Sequence, residues 1–390
     1  MTRLEDLLYF GVSSATQSKR KVRHLSARYL GNKARLANSI VAAIRPLRPT
    51  RVLDLFSGTG AAASGLARAG IEVVANDNLV CAAVMTEATC TSQQAVAFGS
   101  FPGRRNEERY HNALRELNDT RHVEGFIWTE YSPSGRTRSG HVRFYFTCEN
   151  AARIDAIRTT IGNWRDDGTL SEREAALLLG DLLHAANKIA NIAGTYGCFM
   201  KPWLPAALKP LTVVPRVLPR QLAPVRVVTG DYWAVPILAG DVVYLDPPYT
   251  KRQYAAYYHV LETIAVGDQP QVDGVTGLRP WHALASPYCY SRRACHELKR
   301  FVEACPARAI VLSYSNNGHI PHDTLLQILR ARGHVAFSEH SIGKYSSNLP
   351  RGTNERILER IYVSASIDRH APREETEQLV LIGGEGKEEA

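Results

Sequence analysis

Residues 51–77 constrain this chain more than any other stretch. Arg51–Phe56 (RVLDLF) reads as a short apolar strand, Ser57–Gly60 (SGTG) as a tight turn, and AAASGLARAG as a small-residue helix closed by Gly70. Ile71–Asp77 (IEVVAND) is the next strand. Strand, glycine turn, helix and strand in so short a span form a βαβ unit, which demands a parallel sheet and a right-handed crossover. The same signature returns late in the chain. Asp241–Tyr249 (DVVYLDPPY) is an apolar strand running into a rigid turn, and Ala309–Asn316 (AIVLSYSN) is another buried strand. Pro321–Arg332 reads as a helix stopped by Gly333, and Arg356–Val363 (RILERIYV) as a late strand.

Between Asn78 and Arg226 the alternation stops and helical patterns dominate. Ser171 and Glu174 are spaced as a capping box, and Leu178, Leu182, Ala185 and Ile189 then share one helical face. The stretch ends in Pro205, Pro210, Pro215, Pro219 and Pro224, which excludes regular helix and reads as a stiff connector. The expected organisation is therefore a Rossmann-like α/β domain (27–79 and 227–368) interrupted by a mainly helical insertion (80–226). A basic leader (1–26) precedes it and an acidic, disordered tail (369–390) follows.

Charge is uneven along the 390 residues, whose formal net charge is +9. The first fifty carry ten Lys and Arg against Glu5 and Asp6, including the run Lys19–Arg23, and this points to a polyanionic partner. Tyr131–Arg143 (YSPSGRTRSGHVR) has Arg136, Arg138 and Arg143 and no acid, and reads as a mobile basic loop. Seven cysteines with no CxxC pair argue against both a disulfide framework and a zinc site. The chain lacks an apolar run long enough for a membrane span and a signal-peptide core, so a cytoplasmic location is expected.

The glycine turn admits two ligands. Gly58-Thr59-Gly60-Ala61-Ala62-Ala63 fits a dinucleotide fingerprint, and Asp77 stands where a ribose-binding acid would stand, so a nicotinamide dehydrogenase is a rival. Asp54 weighs against it: a carboxylate at the tip of the first strand repels a pyrophosphate but suits a ligand carrying an ammonium and a sulfonium. S-adenosylmethionine is such a ligand. Gly58 and Gly60 allow close backbone approach, and Asp77 can accept both ribose hydroxyls.

Asp246-Pro247-Pro248-Tyr249 decides between these readings. Asp246 ends an apolar strand, where α/β folds place their ligands, and two prolines fix the backbone and leave carbonyls without competing N–H donors. An exocyclic amine such as adenine N6 is a poor nucleophile because its lone pair is delocalised into the ring. Two acceptors, the Asp246 carboxylate and the Pro247 carbonyl, can bind its hydrogens and pull the nitrogen toward tetrahedral geometry. Tyr249 offers a stacking face worth roughly 1–3 kcal/mol.

These motifs resemble the D12-class, Dam-like N6-adenine DNA methyltransferases of bacterial restriction–modification systems. The resemblance spans about residues 27–365 and includes Arg28–Leu36 (RYLGNKARL), DLFSGTG, Asp246–Ala265, Phe146–Arg158, Gly194–Trp203 and Leu312–Gly318. It implies S-adenosylmethionine binding by Tyr29 and Lys33, by the Asp54 loop with Phe56, Ser57, Gly58 and Gly60, by Asp77, and by Asp231 holding the cofactor's adenine amine. It also implies that the insertion is the target-recognition domain. Tyr29 and Asn32 depart from the Trp and Gly that the family often carries there.

The residues fit that role for the insertion. Adenine N6 in a duplex is unreachable until the nucleotide is rotated out of the stack. Arg136, Arg138 and Arg143 offer cations for phosphates or guanine edges. Arg252 and Tyr254, which follow the Asp246 turn, could line a flipped-base pocket. The reading is a site-specific enzyme that methylates adenine in double-stranded DNA, associated with the nucleoid and paired with a restriction endonuclease acting on the same site. An RNA base-amine methyltransferase, a nicotinamide-dependent oxidoreductase and a catalytically silent DNA-binding protein are the remaining rivals.

Overall fold

A computed structural model of the protein describes residues 33–134, 137, 140–343 and 356–366. The leader, Tyr29, Arg136, Arg138 and the acidic tail lie outside the described residues. Helix α1 (Ala37–Ile44) leads into β1 (Arg51–Asp54), α2 (Ala61–Arg68), β2 (Glu72–Asp77) and α3 (Val80–Thr89). A helical stretch follows: α4 (Asn106–Asn118), α5 (Phe126–Tyr131), α6 (Cys148–Asp166) and α7 (Glu172–Ile189). Then come β3 (Val225–Thr229), β4 (Val242–Leu245), α8 (Tyr254–Tyr257), α9 (His259–Val266) and α10 (Ser291–Ala304). The described chain closes with β5 (Ala309–Ser315), α11 (His322–Arg330), β6 (Gly333–Gly343) and β7 (Arg356–Ser366).

The strands form one seven-stranded sheet in the order β3-β2-β1-β4-β5-β7-β6. Strands β1 to β5 run parallel, as runs buried on both faces require, and β7 inserts antiparallel between β5 and β6. The order reverses between β1 and β4, so a cleft opens at their carboxyl ends, where open α/β sheets bind ligands. The α/β expectation holds. Two strands were not foreseen: β3, hidden behind the prolines, and the half-exposed β6.

Ser171 caps α7 with the reciprocal Glu174 bond that the spacing predicts. The helices between β2 and β3 build a core with Phe98, Tyr110, Leu114, Ile154, Leu178 and Leu182, but Val260, Leu261 and Ile264 of α9 belong to the same cluster. The helical layer and the segment after the Asp246 turn therefore share one interior. Helix α3 is joined to this arrangement by Glu262 of α9, which accepts from the Val80 and Cys81 N–H groups at the start of α3 at 3.0 and 2.8 Å.

Candidate active site

The cleft at the switch point holds a cavity of about 410 Å³. Its walls include five carboxylates, Asp54, Asp77, Asp231, Asp246 and Glu297, against two cations, Lys33 and Arg300. Phe56, Ser57, Gly58, Tyr249 and Tyr254 also line it, so residues expected from opposite ends of the chain converge.

Asp54 ends β1 and is completely buried, with neither carboxylate oxygen hydrogen-bonded. Burial, aided by the nearby Asp246 charge, pushes its carboxyl up to about 8. An acid left this costly is one that a cationic ligand would satisfy. Asp77 ends β2 and accepts from the Gly58 N–H at 2.9 Å and the Leu79 N–H at 3.0 Å, tying the glycine loop to the start of α3. Burial raises it to about 6, with those N–H donors pulling the other way. Gly60 sits at φ +77°, and a Cβ there would lie 2.8 Å from the Thr86 Cα, so both conformation and space require glycine. The Thr86 hydroxyl donates to the Ser57 hydroxyl at 3.1 Å, which seats the loop on α3.

Phe56 packs 5.0 Å from the Tyr232 ring, and together they make an aromatic wall. Asp231 is exposed and accepts from the Trp233 N–H at 3.1 Å. Sequence reasoning missed what stands behind this wall. Glu297 of α10 accepts from the Tyr232 hydroxyl, from the Trp233 indole at 2.8 Å and from Arg300 at 3.0 Å. The Arg300 guanidinium lies 4.5 Å from the Trp233 ring centre. The Tyr232-Trp233 aromatics directly after Asp231 were a usable signal, whereas Glu297 carries none in a charged helix.

Asp246 follows β4. Its carboxylate contacts the Lys33 ammonium at 3.0 Å, and Lys33 also reaches Glu359 of β7 at 3.4 Å. Burial raises the Asp246 carboxyl to about 6 while Lys33 draws it down. Burial works against the Lys33 ammonium, but the two carboxylates outweigh it and hold its pKa above the ordinary value. Lys33 therefore lines the cavity, but its charge faces Asp246 and not the Asp54 loop. Tyr249 donates to Glu359 at 3.1 Å, and its carbonyl accepts from the His319 N–H at 2.9 Å. Gly318 permits this packing, since a Cβ there would stand 2.3 Å from the Tyr314 ring and 3.0 Å from the Tyr249 Cβ. Asn316 clamps β7: its N–H donates to the Leu358 carbonyl at 2.9 Å and its side chain accepts from the Leu358 N–H at 3.2 Å.

The expected DNA contacts divide. Arg252 is exposed beside the cavity, and Tyr254 lines it. Arg143 overturns expectation. It is fully buried, paired with Glu130 at 2.9 Å, and donates to the Glu130, Gly274 and Val275 carbonyls. A guanidinium with no exposure and its donors committed inside cannot touch a duplex; it is a structural brace. A cation in a Gly/Ser-rich loop reads as solvated because its partner lies on a separate helix.

A sheet of this order with an acid-lined cleft at its switch point defines a methyltransferase-type α/β protein. A family model of the D12 class N6 adenine-specific DNA methyltransferases matches residues 29–316, and the chain belongs to that family. It is 33% identical over 310 residues to the type II methyltransferase M.FokI of Planomicrobium okeanokoites, covering 78% of this chain and 47% of that protein. It is 32% identical over 334 residues to the modification methylase LlaI of Lactococcus lactis subsp. lactis, covering 82% and 52%. The type II methyltransferase M.NlaIII of Neisseria lactamica is 28% identical over 334 residues, covering 84% and 95%. The chain thus spans about half the length of the first two relatives. No solved structure matches it. Among the described residues no helix is long and apolar enough to cross a membrane.

Proposed function

We propose that the protein transfers a methyl group from S-adenosylmethionine to adenine N6 at a specific site in double-stranded DNA. The observation that carries this reading is the pairing, in one cavity, of an unsatisfied buried carboxylate at Asp54 with the Asp-Pro-Pro-Tyr turn at Asp246. The acid-rich walls fit a ligand with an ammonium and a sulfonium better than a pyrophosphate, which disfavours the dehydrogenase reading. Asp54 would face the cationic end, Asp77 the ribose hydroxyls, and Asp231 with Phe56 the adenine. When bound, the cofactor supplies an electrophilic methyl group.

The remaining work falls to this chain's own residues. Asp246 and the Pro247 carbonyl accept the two N6 hydrogens and orient the nitrogen, while Tyr249 stacks on the base. Tyr254 borders the same cavity, and exposed Lys251 and Arg252 beside it suit phosphates of the duplex. The helical stretch 80–226 would recognise the target, and base flipping would bring the adenine to the turn. A role as the modification partner of a restriction endonuclease is supported by the names of the relatives.

Expression in a methylation-free bacterial host, followed by base-resolved mapping of N6-methyladenine, tests the proposal. Modified adenine at one short motif is expected, with none from Asp246→Ala of equal expression. Unmodified DNA from a wild-type protein that binds S-adenosylmethionine would overturn the substrate assignment. Because Asp246 must be ionised to accept N6 hydrogens, kcat/KM should fall as pH drops through about 6.

A further inference from the structure

The second carboxylate on Lys33, Glu359, has no part in the reaction as described. Glu359 lies within β7, opposite Ser315 of β5, on the strand that runs against the rest of the parallel sheet. It is 5% exposed. One oxygen receives the Lys33 ammonium at 3.4 Å and the other the Tyr249 hydroxyl at 3.1 Å. Lys33 in turn touches Asp246 at 3.0 Å and its ammonium lies 5.3 Å from the Tyr249 ring centre. Asn316 locks β7 one residue away, at Leu358, so the height of Glu359 in the sheet is fixed from both strands.

This arrangement solves a difficulty in the site. An ammonium paired only with Asp246 would compete with the adenine amine for the acceptor that the reaction needs. A second carboxylate on the far side gives the ammonium another partner when Asp246 turns to the base, without leaving a buried charge alone. We propose, building on the methyl-transfer reading above, that Glu359 is a positioning residue that shares Lys33 with Asp246 and so frees the Asp246 carboxylate for the target amine. The Tyr249 hydroxyl holds Glu359 in the orientation that meets Lys33.

The groups facing Asp246 are Lys33, Asp54, Tyr244, Tyr249, Tyr254 and Glu359. Of these, Glu359 pushes the Asp246 carboxyl up and Lys33 draws it down. Removing the Glu359 charge therefore moves the acid limb of the rate profile to lower pH while lowering the rate itself, a combination that general loosening of the fold does not produce.

The test uses full-length protein, S-adenosylmethionine and a duplex bearing the site that the wild type methylates. Glu359→Gln should lower kcat by roughly 10- to 100-fold and shift the acid limb downward. In a Lys33→Met background the same change should alter kcat by less than about threefold, because Glu359 acts through Lys33. Wild-type kcat and an unmoved limb in Glu359→Gln would overturn the inference, as would losses that multiply in the double variant. Where Glu359→Gln alone folds poorly, the double variant still reports, since it removes both charges together. Wild-type turnover in the same assay separates failure of this inference from failure of the methyl-transfer reading.

Discussion

At the scale of single residues, Asp54 shows how the proposed ligand role and stability oppose one another. Its carboxyl sits near 8 in the folded protein against an ordinary 3.8, because burial penalises its charge. The folded state thus holds a proton that the unfolded chain has lost. That stabilising contribution is complete below about pH 4 and disappears as pH rises through about 8. Asp54→Asn should therefore melt higher than wild type at pH 8, with the gap closing toward pH 5, while S-adenosylmethionine affinity measured by calorimetry falls. A lower melting temperature at pH 8 would contradict this account. Asp54, Asp77 and Asp246 were legible in the sequence because each ends an apolar strand, where position alone implies a ligand. Glu359 was not: it lies inside ERIYV with no turn or glycine beside it, and its partner Lys33 is 326 residues away.

At the scale of elements, the sheet and the helices were legible to different degrees. Strands β1, β2, β4 and β5 are each built on a short buried apolar run, and α7 declares itself by its capping box and one-sided leucines. Strand β3 is five residues with two exposed positions, so nothing in VRVVT separates it from the proline-rich stretch before it. The start of α3 was equally silent, since the acid that accepts from the Val80 and Cys81 N–H groups is the sequence-distant Glu262. Glu262 is 2% exposed. Glu262→Ala should leave both α3 donors unsatisfied and destabilise the protein by about 1–3 kcal/mol in urea unfolding. No change in the unfolding midpoint would mean that water replaces the carboxylate at no cost.

At the scale of the whole molecule, the helical layer is bound to the later half of the chain by buried polar contacts. Besides Arg143, the Tyr131 hydroxyl donates to the Gly277 carbonyl at 2.9 Å and the Tyr145 hydroxyl to that of Thr276 at 3.1 Å. Arg143→Met removes the buried cation that faces Glu130 and should cost about 3–5 kcal/mol in denaturant titration, while the DNA affinity of the folded fraction stays unchanged. A large loss of affinity without loss of stability would return Arg143 to the duplex. The insertion of β7 between β5 and β6 has a further consequence, for synthesis. A growing chain can gather the glycine loop and the Asp-Pro-Pro-Tyr turn as soon as β4 and β5 have emerged, but Lys33 then has Asp246 alone to hold. Glu359 reaches Lys33 only once its strand has left the ribosome and taken its place between its neighbours.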